Sequence, residues 1–190
     1  MQMTAMMVTV LAVAAAASSV ESYEGCYDSH CPPGWVHFRN HCYKFVPPAE
    51  MELTFHQAEA HCQSFGGPFN ATGHLASVLD WRENDFIFNM AVAAGKGGSF
   101  WIGLTDTKIE GSFEWTDGSR FNFSNWRNGS PDDGGPGRSE DQAEMSTAGE
   151  WNDTNGDSLT IFRGFMCKMP SFDKKKYVKT ACTGKWPRVQ

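Results

Sequence analysis

Apolar positions recur at helical spacing in two stretches of this chain. Phe55, Ala58, Cys62 and Phe65 predict a helix between Leu53 and Gly66. Thr54 with Gln57 three residues on is a capping-box start, and Gly66 ends the run. The second stretch starts at Asp80, whose carboxylate can cap the free amides of a first turn, with Glu83 inside that turn and Gly95 past the end. Phe86, Met90, Ala93 and Ala94 are its expected inner stripe. Between the helices, His74 to Val78 reads as a brief extended link.

Elsewhere the pattern is that of strands. Trp35, Phe38, Tyr43 and Phe45 lie on either side of the turn-forming Arg39-Asn40 and predict a short hairpin. Phe100 to Leu104 and Phe113 to Thr116 read as strands joined by a polar turn that carries Asp106 and Glu110. Asp117-Gly118 signals a tight turn. A long Gly/Pro-rich segment then runs to Gly149. A loop of that length in a compact domain is functional or disordered. Trp151 and the run from Phe162 to Cys167 predict two closing strands.

Composition narrows the class. The chain has 190 residues and a net charge of −6, room for one domain plus tails and a poor match to nucleic acid. Residues 1–20 are apolar and small, with an Ala run before Ser18-Ser19. They resemble a secretory signal peptide, although the leading residues carry no Lys or Arg. The apolar run is short for a membrane span. Residues 21–30 read as an N-terminal segment ahead of the domain. From Ser171 to residue 190 Lys174, Lys175, Lys176, Lys179, Lys185 and Arg188 form a basic tail. It reads as solvated, with acidic glycans or anionic surfaces as the alternative partners. Export would make disulfides of the six cysteines Cys26, Cys31, Cys42, Cys62, Cys167 and Cys182. Cys31 and Cys42 flank the hairpin turn. The full pairing is one of 15.

The chemistry concentrates between Ser130 and Asp153. Asp132, Asp133, Glu140, Asp141, Asn152 and Asp153 are hard oxygen donors, and Arg138 is the one basic side chain among them. Crowded like charges repel unless water, salt or a metal neutralises them. Ca²⁺ takes 6–8 oxygen ligands in a tolerant geometry. The glycines and prolines let the backbone turn sharply enough for these donors to converge. The plain alternative is a solvated acidic loop. The six histidines are scattered and no G-x-S-x-G nucleophile motif is present, so an enzyme reading is poor.

The order of these features resembles the C-type lectin domain, over residues 31–170. Gly34-Trp35 between Cys31 and Cys42 comes first, then a Cys-bearing helix and a second helix. Trp101-Ile102-Gly103-Leu104, a Pro-centred acidic loop, Trp151-Asn152-Asp153 and Phe165-Met166-Cys167 follow. Trp115 to Ser119 is similar to the soluble galactose-type lectins of echinoderms. The resemblance implies an α+β fold of two helices flanking two small antiparallel sheets, with a long loop carrying calcium. It implies the bridges Cys31–Cys42 and Cys62–Cys167, and leaves Cys26 and Cys182 to pair within or between chains. The family's bridge inside the loop is missing; Gln142 stands at one of its positions and the other falls near Leu159.

Residue by residue, the resemblance implies a sugar-binding calcium on Ser130, Asp132, Glu140, Asn152 and Asp153. An auxiliary calcium falls to Asp106, Glu110, Asp133, Glu140 and Asp141. Ser130 departs from the family, which has Glu or Gln before the Pro, and Pro131 is expected cis. Asp132 after the Pro resembles the galactose-type arrangement. The implied function is a secreted, extracellular calcium-dependent lectin for glycans ending in galactose or N-acetylgalactosamine, in glycan or pathogen recognition. Homo-oligomers are left open. The rival is a lectin-like extracellular matrix or protein-binding module with a degenerate sugar site. Asn70 and Asn122 head glycosylation sequons. Asn152 heads another, but as a ligand it should stay bare.

Overall fold

The structure is a computed structural model that describes residues 30–171 apart from 67–71, 96–97, 136–138, 157 and 159–162. The expected signal segment, the basic tail, Cys26, Cys182, Asn70 and Arg138 lie outside the described residues. The elements run β1 (Val36–Phe38), β2 (His41–Val46), α1 (Phe55–Gln63), β3 (His74–Leu75) and α2 (Trp81–Ala93). Then follow β4 (Phe100–Thr105), β5 (Glu114–Trp115), β6 (Gln142–Met145), β7 (Trp151–Thr154) and β8 (Gly164–Pro170). No helix among the described residues is long and apolar enough to cross a membrane.

The α+β architecture is as the resemblance implied. The strand order is β1-β2-β8-β4-β6-β7, with β3 on β8 and β5 on β4. Two antiparallel groups, β1-β2-β8-β3 and β5-β4-β6-β7, meet at a short parallel contact where Phe100 and Trp101 of β4 face Gly164 and Phe165 of β8. The two sheets are therefore edge-joined into one mixed sheet. Gly103 makes the junction with β3 possible: a Cβ there would lie 2.5 Å from the Leu75 carbonyl oxygen. Its own amide donates to the Ala76 carbonyl at 2.9 Å.

The hairpin turns at Arg39-Asn40 as expected, with Arg39 in the left-handed region at φ 53°. The Cys31–Cys42 bridge staples it to the preceding segment. Cys62–Cys167 ties α1 to β8 across 105 residues of sequence. In the chain-entropy account a closure of that length restricts the unfolded chain by about 4–5 kcal/mol.

Three expectations need correction. α1 ends at Gln63, short of Gly66, which instead forms a bridge with Thr72. The fully buried residues of α2 are Glu83, Asn84, Ile87 and Ala91; of the expected stripe, Phe86 and Met90 are half-buried and pack against the core, whereas Ala93 and Ala94 are exposed. And the long segment up to Gly149 contains a fully buried strand, β6. The errors at α2 and β6 come from equating polar with exposed. Glu83 and Asn84 are inside because each is satisfied there. Asn84 takes the Trp151 indole N–H at 2.8 Å and donates to the Gly149 carbonyl at 3.0 Å.

Glu83 belongs to a buried ionic cluster between α2 and the sheet. The Lys168 ammonium donates to Glu83 Oε1 at 2.7 Å, Ser77 Oγ at 2.9 Å and the Ser77 carbonyl at 3.1 Å. The Tyr43 hydroxyl also donates to Glu83. Burial and the neighbouring Glu83 charge push the Tyr43 pKa far up, so the phenol stays a donor. The Leu79 amide donates to the other carboxylate oxygen at 2.8 Å. Removing one partner strands a buried charge. Lys168→Met is expected to cost about 3–5 kcal/mol, and the double change Lys168→Met/Glu83→Gln clearly less. Denaturant unfolding with the disulfides intact measures both; equal losses in the two variants would contradict this account.

Candidate functional site

The long loop leaves the core at Trp126, which packs edge-on against Trp151 with ring centroids 5.8 Å apart. The Arg127 amide donates to the Trp151 carbonyl at 2.9 Å, and the Ser130 amide closes a turn onto the Arg127 carbonyl at 3.1 Å. The Ser130–Pro131 peptide is cis, as expected from the sequence. The chain is thus pinned to β7 just before the acidic residues begin.

Asp153 continues the attachment. It projects from β7, is buried, and accepts the amides of Asp132 and Asp133 on one oxygen, Oδ2, each at 2.7 Å. Asp132 Oδ1 takes the Gly134 amide at 3.1 Å, and Asp133 Oδ1 the Glu140 amide at 2.8 Å. Gly134 has φ +62°, and a Cβ on it would meet the Glu140 carboxyl at 2.8 Å. Only glycine lets that carboxylate fold over the loop. Ser139 Oγ donates to Asp141.

These bonds gather the carboxylates into two groups, each with its ligand-capable oxygens within 4.8 Å of one another: Asp132, Glu140 and Asp153, and Glu110, Asp133 and Asp141. Glu140, which the resemblance assigns to both sets, groups here with Asp132 and Asp153. Asp106 borders the second group: its backbone amide donates to the Asp141 carbonyl at 3.1 Å, and its Oδ2 accepts from the Gly111 amide at 2.8 Å.

The electrostatics of the second group are unfavourable for a bare protein. Burial, then the nearby Asp141 charge, raise the Asp106 pKa above the usual carboxylate range. The Asp106 charge raises that of Glu110, with Asp133 and Asp141 adding to it. Among the described residues, buried side-chain atoms without a hydrogen-bond partner are Asp106 Oδ1, Asp153 Oδ1 and the Trp115 indole nitrogen. Two of the three are carboxylate oxygens, one in or beside each acidic group. Buried polar atoms in folded proteins are satisfied by some partner. Hard anionic oxygens crowded together, each group contributing one orphaned lone pair, fit a calcium-type cation.

Ser130 sits at the start of the acidic loop. Its hydroxyl donates to Asn152 Oδ1 at 2.8 Å and accepts from Arg127 Nε at 3.1 Å. Ser130 and Asn152 are therefore joined directly, and Arg127 is drawn in behind them. Arg127 escaped the sequence reading because it lies just ahead of the acidic stretch and belongs to no motif. Gln142, in the position of a missing cysteine, is buried and bonds the Gly156 amide through Oε1 at 2.7 Å and Thr107 Oγ1 through Nε2 at 3.1 Å. Hydrogen bonds hold that end of the loop in place of the absent bridge.

A profile of the lectin C-type domain matches residues 51–169. The chain belongs to the C-type lectin domain family, a class of non-enzymatic, carbohydrate-binding domains. Echinoidin of Heliocidaris crassispina is 31% identical over 150 residues, 75% of this chain and 99% of echinoidin. The alpha-N-acetylgalactosamine-specific lectin of Patiria pectinifera is 34% identical over 151 residues, 73% of this chain and 82% of that lectin. The crystal structure of the C-type lectin CEL-I from Cucumaria echinata superposes with a TM-score of 0.65 at 32% identity, covering 73% of this chain and 96% of CEL-I.

Asp106 gives a signed test of the electrostatics. Its folded-state pKa is raised, so the folded protein binds more protons than the unfolded one over that window, and stability falls as pH rises through it. In chelator, Asp106→Asn is therefore expected to raise the melting temperature at neutral pH. The gain should shrink as the pH is lowered through the ordinary carboxylate range. A lowered melting temperature in chelator at neutral pH would contradict the assignment.

Proposed function

We propose that this protein is a secreted, calcium-dependent lectin of the galactose type. The observation that carries the reading is the pair of orphaned, buried carboxylate oxygens, Asp106 Oδ1 and Asp153 Oδ1, at the two acidic groups. In this reading Asp132, Glu140, Asn152 and Asp153 hold the sugar-site calcium, and Asp106, Glu110, Asp133 and Asp141 the auxiliary one. Calcium supplies positive charge and open coordination positions for two vicinal sugar hydroxyls. The chain's own part is directional: carboxylate oxygens of Asp132 and Glu140 accept from those hydroxyls, and the Asn152 amide donates. Charge-assisted hydrogen bonds of this kind are about twice as strong as neutral ones. Asp153, held by two loop amides, fixes where Asp132 sits.

Ser130 works through Asn152 in this scheme. Its hydroxyl orients the amide and leaves one protein ligand fewer than a Gln or Glu would supply. Calcium affinity is then expected in the range of weaker extracellular modules, about 10⁻⁴–10⁻³ M. Galactose-type selectivity is supported by Asp132 after the cis proline and by relatives named for galactose or N-acetylgalactosamine. The leader-like first residues and the two disulfides support secretion.

Retention on immobilised galactose tests the proposal. The protein is expected to bind in millimolar calcium and to elute with chelator. Asp132→Ala should abolish retention while leaving the circular dichroism spectrum unchanged. Retention that ignores chelator, or none in excess calcium for galactose and N-acetylgalactosamine alike, would overturn it.

A further inference from the structure

We infer that Arg127 is a specificity-determining residue at the edge of the sugar site, and that the preferred glycans carry an anionic group beside their free ring hydroxyls. The inference rests on the lectin reading above and extends it to a ligand class. Arg127 is exposed, yet its position is fixed at three points. Its amide is on the Trp151 carbonyl, its carbonyl takes the Ser130 amide, and its Nε donates to Ser130 Oγ at 3.1 Å. Ser130 Oγ passes directly to Asn152 Oδ1 at 2.8 Å. One hydroxyl therefore separates the guanidinium from a residue of the proposed sugar site.

The charge of Arg127 is also uncommitted. Arg39, Lys108, Arg163 and Lys168 each pair with a carboxylate. Among the described residues Arg127 forms no ion pair, although Asp132, Asp133, Glu140 and Asp141 follow on the same loop. With Nε engaged by Ser130, the two terminal nitrogens remain for an incoming group. A guanidinium presents them in a planar fork that matches the oxygens of a sulfate or carboxylate. Anchoring at Nε removes part of the side-chain freedom that binding would otherwise cost. Ser130 is what makes this arrangement available: its short hydroxyl both accepts from Arg127 and keeps Asn152 in hydrogen-bond contact.

An anion source is distinguished by experiment. Calorimetry in saturating calcium on the full chain compares galactose, a 6-O-sulfated galactoside and galacturonic acid. The last two carry their charge at C6, beside ring hydroxyls that stay free. At least one charged sugar is expected to bind about tenfold more tightly than galactose, the worth of one charge-assisted hydrogen bond. Arg127→Gln should erase that preference, so that within the variant the charged sugars bind no more tightly than galactose, and Arg127→Lys should keep only part of it. The basic tail is common to all variants, so the difference reads Arg127 alone. Equal binding of neutral and charged sugars, or a preference that survives Arg127→Gln, overturns the inference and leaves the lectin reading standing. Failure of all three sugars in calcium removes both.

Discussion

Asp153 reaches out of β7 and takes two loop amides on a single carboxylate oxygen. The rest of the site depends on that attachment. It determines where Asp132 and Asp133 begin to diverge, Asp132 toward Glu140 and Asp153, Asp133 toward Glu110 and Asp141. A carboxylate accepting backbone amides is a strong anchor, but here it concentrates negative charge. Each bond that orders the loop brings another carboxylate closer to its like. The protein alone leaves Asp153 Oδ1 and Asp106 Oδ1 without a partner in the interior. Order in this loop and crowding of negative charge are two aspects of one arrangement.

The anchor is backed by the sheet and by α2. β7 pairs with β6 over four residues, and β6 lies on β4. The Trp151 indole bonds Asn84 of α2, whose amide in turn holds the Gly149 carbonyl at the turn into β7. On the far side the Lys168–Glu83–Tyr43 cluster locks α2 to the β2-β8 pair. The two buried polar groups, Glu83 and Asn84, sit side by side in the first turn of α2 and tie it to both parts of the sheet.

That polarity set the limit of what the sequence made legible. The hairpin at Arg39-Asn40, the capping box at Thr54, the Asp80 cap and the acidic residues of the loop are local patterns, and they stand where the residues implied. The α2 face and β6 depend on partners far along the chain. Glu83 is stable inside because Lys168 arrives 85 residues later, and Glu144 because Arg163 reaches it at 2.7 Å. No short window of sequence contains both halves of such a pair. Arg127 was invisible for the same reason: its meaning comes from Ser130 and Asn152, joined only by the fold.

The central claim is that two acidic groups, ordered through Asp153, form two calcium sites. Calorimetric titration of chelator-stripped protein tests it most directly. The account predicts two calcium ions per chain, one lost on Asp153→Asn and the other on Glu110→Gln, with the fold retained in each variant. Titration with no binding heat up to about 10 mM calcium, a concentration well above the range for extracellular modules, would contradict it.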